Sequence, residues 1–424
     1  MSSAKKIGLF ACTGVVAGNM MGSGIALLPA NLASIGGIAI WGWIIIGAMS
    51  LAYVYARLAT KNPQQGGPIA YAGEISPAFG FQTGVLYYHA NWIGNLAIGI
   101  TAVSYLSTFF PVLNDPVPAG IACIAIVWVF TFVNMLGGTW VSRLTTIGLV
   151  VMTAIVGWHW FDAATYAANW NTADTTDGHA IIKSILLCLW AFVGVESAAV
   201  STGMVKNPKR TVPLATMLGT GLAGIVYIAA TQVLSGMYPS SVMAASGAPF
   251  AISASTILGN WAAPLVSAFT AFACLTSLGS WMMLVGQAGV RAANDGNFPK
   301  VYGEVDSNGI PKKGLLLAAV KMTALMILIT LMNSAGGKAS DLFGELTGIA
   351  VLLTMLPYFY SCVDLIRFEG VNIRNFVSLI CSVLGCVFCF IALMGASSFE
   401  LAGTFIVSLI ILMFYARKMH ERQS

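Results

Sequence analysis

The sequence predicts an all-α integral membrane protein with twelve membrane-spanning helices. Of its 424 residues, 58% are hydrophobic and 8% are charged, whereas a soluble domain has about 25% charged residues. Apolar stretches near the roughly 20 residues that cross a bilayer recur along the whole chain. Two of them are interrupted near their centres by segments that contain glycine. Because such a surface suits only lipid, a soluble enzyme and a nucleic-acid binder are excluded.

The predicted spans are the twelve apolar stretches, and together they put both termini on one side of the membrane. They cover about residues 7–33, 38–58, 81–110, 118–136, 144–160, 180–204, 212–237, 262–290, 314–332, 341–361, 375–393 and 400–416. The fifth span, from Thr145 to Trp160, is short. Either residues are missing from it or its helix begins earlier, near Val141.

Basic residues mark one side of the predicted membrane protein. The loops that follow even-numbered spans carry Arg57, Lys61, Arg143, Lys206, Lys209, Arg210, Arg291, Lys300, Lys312, Lys313, Arg367 and Arg374. The opposite loops have Lys183 and Lys338 as their only cations, and Lys321 lies early in the ninth span. Because loops rich in Lys and Arg stay in the cytoplasm, we predict that both termini are cytoplasmic.

The two interrupted spans are the first and the sixth. Gly22, Ser23 and Gly24 break the first, and the segment Gly194-Val-Glu-Ser197 breaks the sixth. Corresponding breaks five spans apart indicate two inverted five-helix repeats, here about residues 1–160 and 180–361, with a binding site at the membrane midplane. The alternative is that these glycines only let helices pack closely, since glycine is common in membrane helices.

Glu196 is the ionisable residue that the sixth span places inside the membrane. It precedes Lys206 by ten residues, about 15 Å of helix, or half the hydrocarbon thickness. A charge at this depth costs a few kcal/mol, so it indicates a function by default. We expect Glu196 to bind a cation or a proton, the alternative being a structural carboxylate bonded to a neighbouring helix.

Aromatic residues near the same depth would offer faces to a cation. Trp281 precedes Arg291 by ten residues, Trp190 precedes Glu196 by six, and Tyr87 and Tyr88 lie on the third span. Each cation–π contact contributes about 0.5 to 2 kcal/mol. The alternative is that both tryptophans only pack against neighbouring helices.

The break in the first span would suit a substrate carboxylate. Freed N–H groups around Ser23, together with the positive end of the half-helix that follows, favour an anion. A zwitterionic amino acid fits this end, and its side-chain cation would point toward Trp281 and the third span, where Asn91 and Asn95 offer amide oxygens.

Three further residues are candidates for the substrate pathway. Asp295 follows the eighth span and would attract a diamine at the inner mouth, or it would cap its loop. Tyr71 and Tyr227 are weaker candidates of the same kind. The four histidines form no ligand pair and the eight cysteines show no metal-binding spacing, so we expect no cofactor, no metal site and no catalytic residues.

The sequence resembles the amino acid, polyamine and organocation transporters, specifically the bacterial basic amino acid/polyamine exchangers. The segments that carry the resemblance are Gly18-Asn-Met-Met-Gly-Ser-Gly-Ile25, Leu28-Pro-Ala-Asn31, Leu86-Tyr-Tyr88, Trp92-Ile-Gly-Asn95, Trp190-Ala-Phe-Val-Gly-Val-Glu-Ser197, Val205-Lys-Asn-Pro-Lys-Arg210 and Ser277-Leu-Gly-Ser-Trp281. The resemblance implies two inverted five-helix repeats over residues 1–361, two extra helices over 362–424, and a bacterial inner membrane. It also implies import of a basic amino acid in exchange for its decarboxylated amine.

The resemblance further implies roles for the site residues. Trp281 would stack on the distal cation of the substrate, Trp190 would gate the extracellular path, and Glu196 would couple to protonation or to the amine. The backbone of Gly22 and Gly24, with Ser23, would hold the carboxylate.

The sequence also departs from the arginine/agmatine members of this family, and the departures favour a plain ammonium. Asn91 replaces a smaller residue and Ala350 replaces a hydroxyl. We therefore expect exchange of external lysine for internal cadaverine, contributing to acid resistance. Ornithine/putrescine exchange and proton-coupled import are the alternatives. Membrane lipid surrounds the protein, and whether it is a homodimer stays open.

Overall fold

Most of the chain that the structure describes is helical. The computed structural model describes residues 8–20, 25–43, 45–61, 67–136, 153, 155–170, 178–200, 205–334, 339–396 and 398–423. Its α-helices are α1 Leu9–Met20, α2 Leu28–Ala33, α3 Ile45–Lys61, α4 Pro68–Ile75, α5 Pro77–Leu106, α6 Pro116–Met135, α7 Ala163–Trp170, α8 Gly178–Phe192, α9 Ser197–Val200, α10 Pro208–Met237, α11 Ser240–Ala244, α12 Pro249–Leu258, α13 Ala262–Asn294, α14 Lys312–Asn333, α15 Ala339–Glu369, α16 Phe376–Met394 and α17 Ser398–Gln423.

Eight helical segments among these residues are long and apolar enough to cross a bilayer. They are Ala39–Lys61, Pro116–Met135, Ala180–Ala199, Pro208–Met237, Ala262–Asn294, Lys312–Asn333, Leu342–Glu369 and Ile373–Met394. The helices leave many large apolar side chains exposed, such as Phe132, Leu331 and Phe390. A surface of this kind is stable in lipid, so the protein is an integral membrane protein.

Proline sets the first residue of several long helices. Pro77, Pro116 and Pro208 each open a helix, where the missing N–H costs nothing because the first turn has no intrahelical acceptor for it. The Ser76 hydroxyl also caps α5 by accepting a hydrogen bond from the Ala78 N–H at 3.3 Å. These signals shift α5 to 77–106, whereas the hydropathy of the sequence predicts 81–110.

The predicted break in the sixth span is found, whereas the predicted break in the first span lies outside the described residues. In the first span, α1 ends at Met20 and α2 begins at Leu28, with residues 25–27 not helical. Gly22, Ser23 and Gly24 themselves lie outside the described residues. In the sixth span, α8 ends at Phe192, α9 begins at Ser197, and Gly194 adopts a φ of 107° that strongly favours glycine.

Several short helices lie between the long ones and are not predicted by hydropathy. They are α4, α7, α11 and α12, and none exceeds ten residues, which is too short to cross a bilayer. Most of the short fifth predicted span lies outside the described residues.

Helix α5 is at the centre of the architecture. It packs against α13 and α15, and also against α4, α6 and α17. Elsewhere in the molecule, α10 packs against α1 and α3. The residues between Gly80 and Tyr105 on α5 are mostly buried, and their side chains therefore face other helices and not lipid.

The loop between α13 and α14 is closed by Asp306. Its carboxylate accepts hydrogen bonds from the N–H groups of Ile310 and Asn308, each at 2.9 Å, and pairs with Lys312 at 3.1 Å. The bond from Ile310 contributes most to holding the pKa of Asp306 below its usual value. The loop is thereby fixed where its 3₁₀ segment, Lys300–Gly303, contacts α13 and α14.

Candidate functional site

Glu196 lies in the break between α8 and α9, and its carboxylate is fully enclosed. Only 1% of the residue is exposed. The Tyr87 hydroxyl on α5 donates a hydrogen bond to one carboxylate oxygen at 2.8 Å. The Tyr358 hydroxyl on α15 donates to the other oxygen at 2.8 Å, and the Gly194 N–H donates to it at 3.2 Å. Three separate segments therefore hold the carboxylate.

The break itself supplies the third of these donors. The positive φ of Gly194 turns its N–H back toward the side chain two residues later, and the Ser197 hydroxyl donates to the Gly194 carbonyl. All three donors to Glu196 are neutral groups. They stabilise an anion by dipoles alone, so among these contacts the charge has no compensating cation. Chemically, this is a site for a cation or a proton.

A narrow cavity lies beside Tyr87. Its volume is about 40 Å³, and it lies between α1, α5, α8, α13 and α15. Its lining is Met20, Tyr87, Ala90, Asn91, Gly94, Asn95, Ile98, Trp190, Val193, Trp281, Ala350 and Thr354. Such a volume holds about three water molecules. A substrate larger than this requires the cavity walls to move apart. Glu196 is not in this lining, but Tyr87, which donates a hydrogen bond to its carboxylate, is.

Two buried polar side chains in the cavity wall lack hydrogen-bond partners among the described residues. Both amide atoms of Asn95 are unpaired, although the residue is only 1% exposed. The indole Nε1 of Trp190 is unpaired as well. Since a buried unpaired polar group costs about 1 to 3 kcal/mol, these atoms indicate that the wall is built to bond a polar guest.

Gly94 allows Trp190 to pack across the cavity. A Cβ at Gly94 would lie 3.0 Å from Cη2 of the Trp190 ring, closer than nearly all real contacts. Trp281 on α13 and Asn91 on α5 complete the aromatic and polar wall. The Nδ2 of Asn91 donates to the Tyr87 carbonyl at 2.7 Å, which orients that side chain.

Tyr88 does not line this cavity, although the sequence predicts that it faces the substrate cation together with Tyr87. Consecutive residues on a helix point about 100° apart, and Tyr88 packs instead against Phe298 and Tyr302 with ring centroids 4.8 and 5.9 Å away. The ammonium of Lys321 lies 5.0 Å from the Tyr88 ring centroid and 5.1 Å from that of Tyr302. The intramembrane lysine is thus held over two aromatic rings.

The three pathway candidates occupy different places. Tyr71, on α4, is buried and packs against Tyr55, which in turn contacts Tyr358 at 5.7 Å between ring centroids. Tyr227 donates to the Ala191 carbonyl at 3.2 Å and so braces the end of α8. Asp295 pairs with Arg291 at 2.8 Å at the end of α13.

The pairing of Asp295 fits the loop-capping alternative, yet its surroundings are open. Its side chain is 37% exposed and lines a cavity of about 300 Å³ beside Glu74 and Asn297. A surface ion pair of this kind contributes about 0 to 1 kcal/mol, so a cationic ligand could compete for the carboxylate.

Tyr358 and Thr354 belong to the arrangement but are absent from the predicted site. Tyr358 follows Pro357 inside the tenth span, and a hydroxyl-bearing residue there is a signal of the same kind as Glu196. Its partner cannot be identified without the packing of α15 against the sixth span. No group of three or more metal-binding side chains is found within the described ranges.

Comparison with known proteins places this arrangement in a family. The model of the amino acid permease family matches residues 7–416. The chain is 98% identical over 432 residues to the cadaverine/lysine antiporter of Escherichia coli (strain K12), covering all of this chain and 97% of that protein. It is 32% identical over 415 residues to the putrescine transporter PotE of the same organism, covering 93% of this chain and 92% of PotE.

A second PotE, from Haemophilus influenzae, is 31% identical over 369 residues, covering 85% of this chain and 84% of that protein. The 432 aligned positions of the cadaverine/lysine antiporter exceed the 424 residues of this chain by eight, so that relative has at least eight residues without a counterpart here. The family match extends over nearly the whole chain and includes every segment that forms the site. The chain therefore belongs to the amino acid permease family.

Proposed function

We propose that this protein is a secondary active antiporter that exchanges external lysine for internal cadaverine across the bacterial inner membrane. The observation that carries the proposal is the 98% identity, over the full chain, to a protein named as a cadaverine/lysine antiporter. Lysine carries one net positive charge and cadaverine carries two, so each cycle exports positive charge. Together with a cytosolic decarboxylase, which consumes protons, this exchange would contribute to acid resistance. Transport, and not enzymatic chemistry, is the activity.

The proposed topology has twelve spans with both termini in the cytoplasm. Residues 1–160 and 180–361 form the two inverted five-helix repeats, and residues 362–424 add the last two spans. The helix breaks before Leu28 and before Ser197 support this arrangement, because they fall five spans apart. We also propose that some of the residues that the aligned antiporter has in excess belong to the short fifth span.

The proposed binding mode uses the cavity beside Tyr87. One ammonium of the substrate approaches Glu196, while the other lies against Trp281, as cation–π attraction favours. Asn95 and Trp190 provide the polar atoms that have no partner in the described structure. The substrate carboxylate is assigned to Gly22, Ser23 and Gly24, which stays a prediction because these residues lie outside the described ones. Tyr71, Tyr227 and Asp295 are assigned to the pathway, whereas Tyr88, which the sequence predicts to contact the substrate, does not line this cavity.

A panel of diamines tests the substrate assignment. In liposome counterflow, cadaverine should exchange for lysine more effectively than putrescine, because one lost methylene forfeits about 0.8 kcal/mol, or fourfold in affinity. Diamines longer than cadaverine should also exchange less effectively for lysine, because the cavity is closely packed. Equal exchange of ornithine for putrescine would instead support the second candidate, to which the 32% identity with PotE points.

Trp281 gives a graded test of cation binding. Trp281→Phe retains a weaker aromatic face, whereas Trp281→Leu retains apolar bulk without one, so Phe should preserve more cadaverine affinity than Leu. The expected loss for Leu is up to about 2 kcal/mol, or thirtyfold. Isothermal titration of the purified variants measures both values. Equal affinities for the two variants would make Trp281 a packing residue.

A further inference from the structure

Lys321 is a charged residue inside a membrane-spanning helix, and the groups that hold its charge are neutral. It follows Lys312, the first residue of α14, by nine residues, or about 14 Å of helix. Its ammonium lies 5.0 Å from the ring centroid of Tyr88 and 5.1 Å from that of Tyr302. None of the ion pairs found among the described residues includes Lys321. A charge at this depth is costly, so it indicates a function.

The rings around this ammonium form an aromatic cage, which consists of Tyr88, Phe298 and Tyr302. The two tyrosine rings stand almost at a right angle, with an interplanar angle of 84° and centroids 5.9 Å apart. Phe298 packs against both of them, with its centroid 4.8 Å from that of Tyr88 and 5.2 Å from that of Tyr302. Both tyrosines contact Gly289 on α13, where a Cβ would lie 3.4 Å from an atom of each ring. The cage is therefore fixed by three separate segments of the chain.

The chemistry of the aromatic cage identifies the class of ligand that fits it. Neutral ring faces attract a cation through their quadrupoles, so they hold any primary alkylammonium in the way that they hold the side chain of Lys321. That side chain is itself an n-butylammonium group. Lysine and cadaverine, the substrates of the proposed exchange, carry the same ammonium at the end of an unbranched aliphatic chain. The cage therefore fits one end of either substrate.

The aromatic cage adjoins residues of two cavities. Asn297 lines the cavity of about 300 Å³ beside Asp295, and the next residue in the chain, Phe298, belongs to the cage. On α5, Tyr88 directly follows Tyr87, which lines the substrate cavity. A ligand in the cage would therefore lie close to the inner mouth and to the helix turn that holds Glu196.

We propose that the aromatic cage is a second binding site for a primary alkylammonium, and that Lys321 is its built-in occupant, which an internal diamine displaces. The identity of that diamine as cadaverine rests on the proposed function. A tether of this length gives the Lys321 ammonium an effective concentration on the order of millimolar, so only a comparable concentration of diamine displaces it. The displaced side chain extends toward the Lys312 end of α14, as long cationic side chains do in membrane helices. Lys321 thereby lowers the affinity for internal cadaverine until the diamine accumulates.

The first test replaces the tethered ammonium with a free one. Lys321→Ala empties the cage, and equilibrium dialysis of the purified variant against radiolabelled n-butylammonium should find one more site per chain than in the unsubstituted protein. Lys313→Ala removes an exposed lysine outside the cage and should give no additional site. Unlabelled n-butanol, which has the same chain without the charge, should not displace the bound ammonium. An equal number of sites in all three proteins would overturn the proposal.

The second test assigns the additional site to the aromatic cage. Tyr302→Leu removes one of the two rings that face the ammonium while it keeps an apolar side chain. In the variant that combines Lys321→Ala with Tyr302→Leu, the affinity of the additional site for n-butylammonium should fall at least tenfold. Full affinity in the double variant would mean that the gain comes from removal of a positive charge alone, and it would refute the cage as the site.

A third readout concerns transport. In lysine–cadaverine counterflow, the internal cadaverine concentration that gives half-maximal exchange should fall about fivefold in Lys321→Ala, because the tethered competitor is gone. The half-saturating concentration of external lysine should not change, and Lys313→Ala should match the unsubstituted protein. Equal half-saturation by cadaverine in Lys321→Ala and in the unsubstituted protein would contradict the competition. Absence of exchange in every protein, the unsubstituted one included, would contradict the proposed antiport, and the dialysis count then decides the cage independently.

Discussion

Glu196→Gln should lower cadaverine affinity about a hundredfold while the protein still folds. The substitution keeps the size of the side chain but removes the charge that would pair with an ammonium, and loss of a buried charge partner costs about 3 kcal/mol or more. The glutamine oxygen can still accept one hydrogen bond from the hydroxyl of Tyr87 or Tyr358, so most of the local packing is retained. Cadaverine binding to the purified variant is the measurement.

Two further variants make this result specific. Glu304→Gln removes a carboxylate from an exposed loop, where it pairs with Lys313, and should leave cadaverine affinity unchanged. Tyr358→Phe removes one of the three donors to Glu196 and should lower affinity about tenfold, because a hydrogen bond to a charged group contributes about 1.5 to 3 kcal/mol. Unchanged affinity in well-folded Glu196→Gln would show that Glu196 is a structural carboxylate.

Much of the architecture follows from the sequence because the bilayer imposes strict rules. A run of apolar residues must be helical in lipid, since its backbone groups have no other partner. The break at Gly194 is predictable because a glycine and an acid occur together inside an apolar run, and both are costly there. The short helices escape a search for apolar runs of span length. A segment such as Pro249–Leu258 has only 10 residues, so it is too short to be recognised as a span.

The candidate site is predictable in part, for reasons that differ between residues. Glu196 and Trp281 are identified by depth alone, because an acid or a tryptophan near the midplane is unusual. The distinct environments of Tyr87 and Tyr88 depend on which helices surround α5, which spacing along the chain does not reveal. Tyr358 is missed for the same reason, since 162 residues separate it from Glu196 in sequence.

Lysine uptake should be fast only when cadaverine is present on the opposite side of the membrane. The three donors to Glu196 are neutral, so an empty carrier that reorients must move a buried charge without a cation or must first take up a proton. Both requirements raise the barrier to reorientation of the empty protein. A bound substrate at either face compensates the charge and lowers the barrier, so the protein should exchange rapidly and leak slowly.

The direct test is uptake of radiolabelled lysine into proteoliposomes with and without internal cadaverine, at neutral and mildly acidic external pH. Glu304→Gln protein serves as the positive control, and protein-free liposomes give the background. The antiport account predicts rapid uptake only into vesicles loaded with cadaverine, with a matching efflux of the diamine. Equally fast uptake into empty vesicles, driven by a proton gradient alone, would contradict exchange and identify a proton-coupled importer.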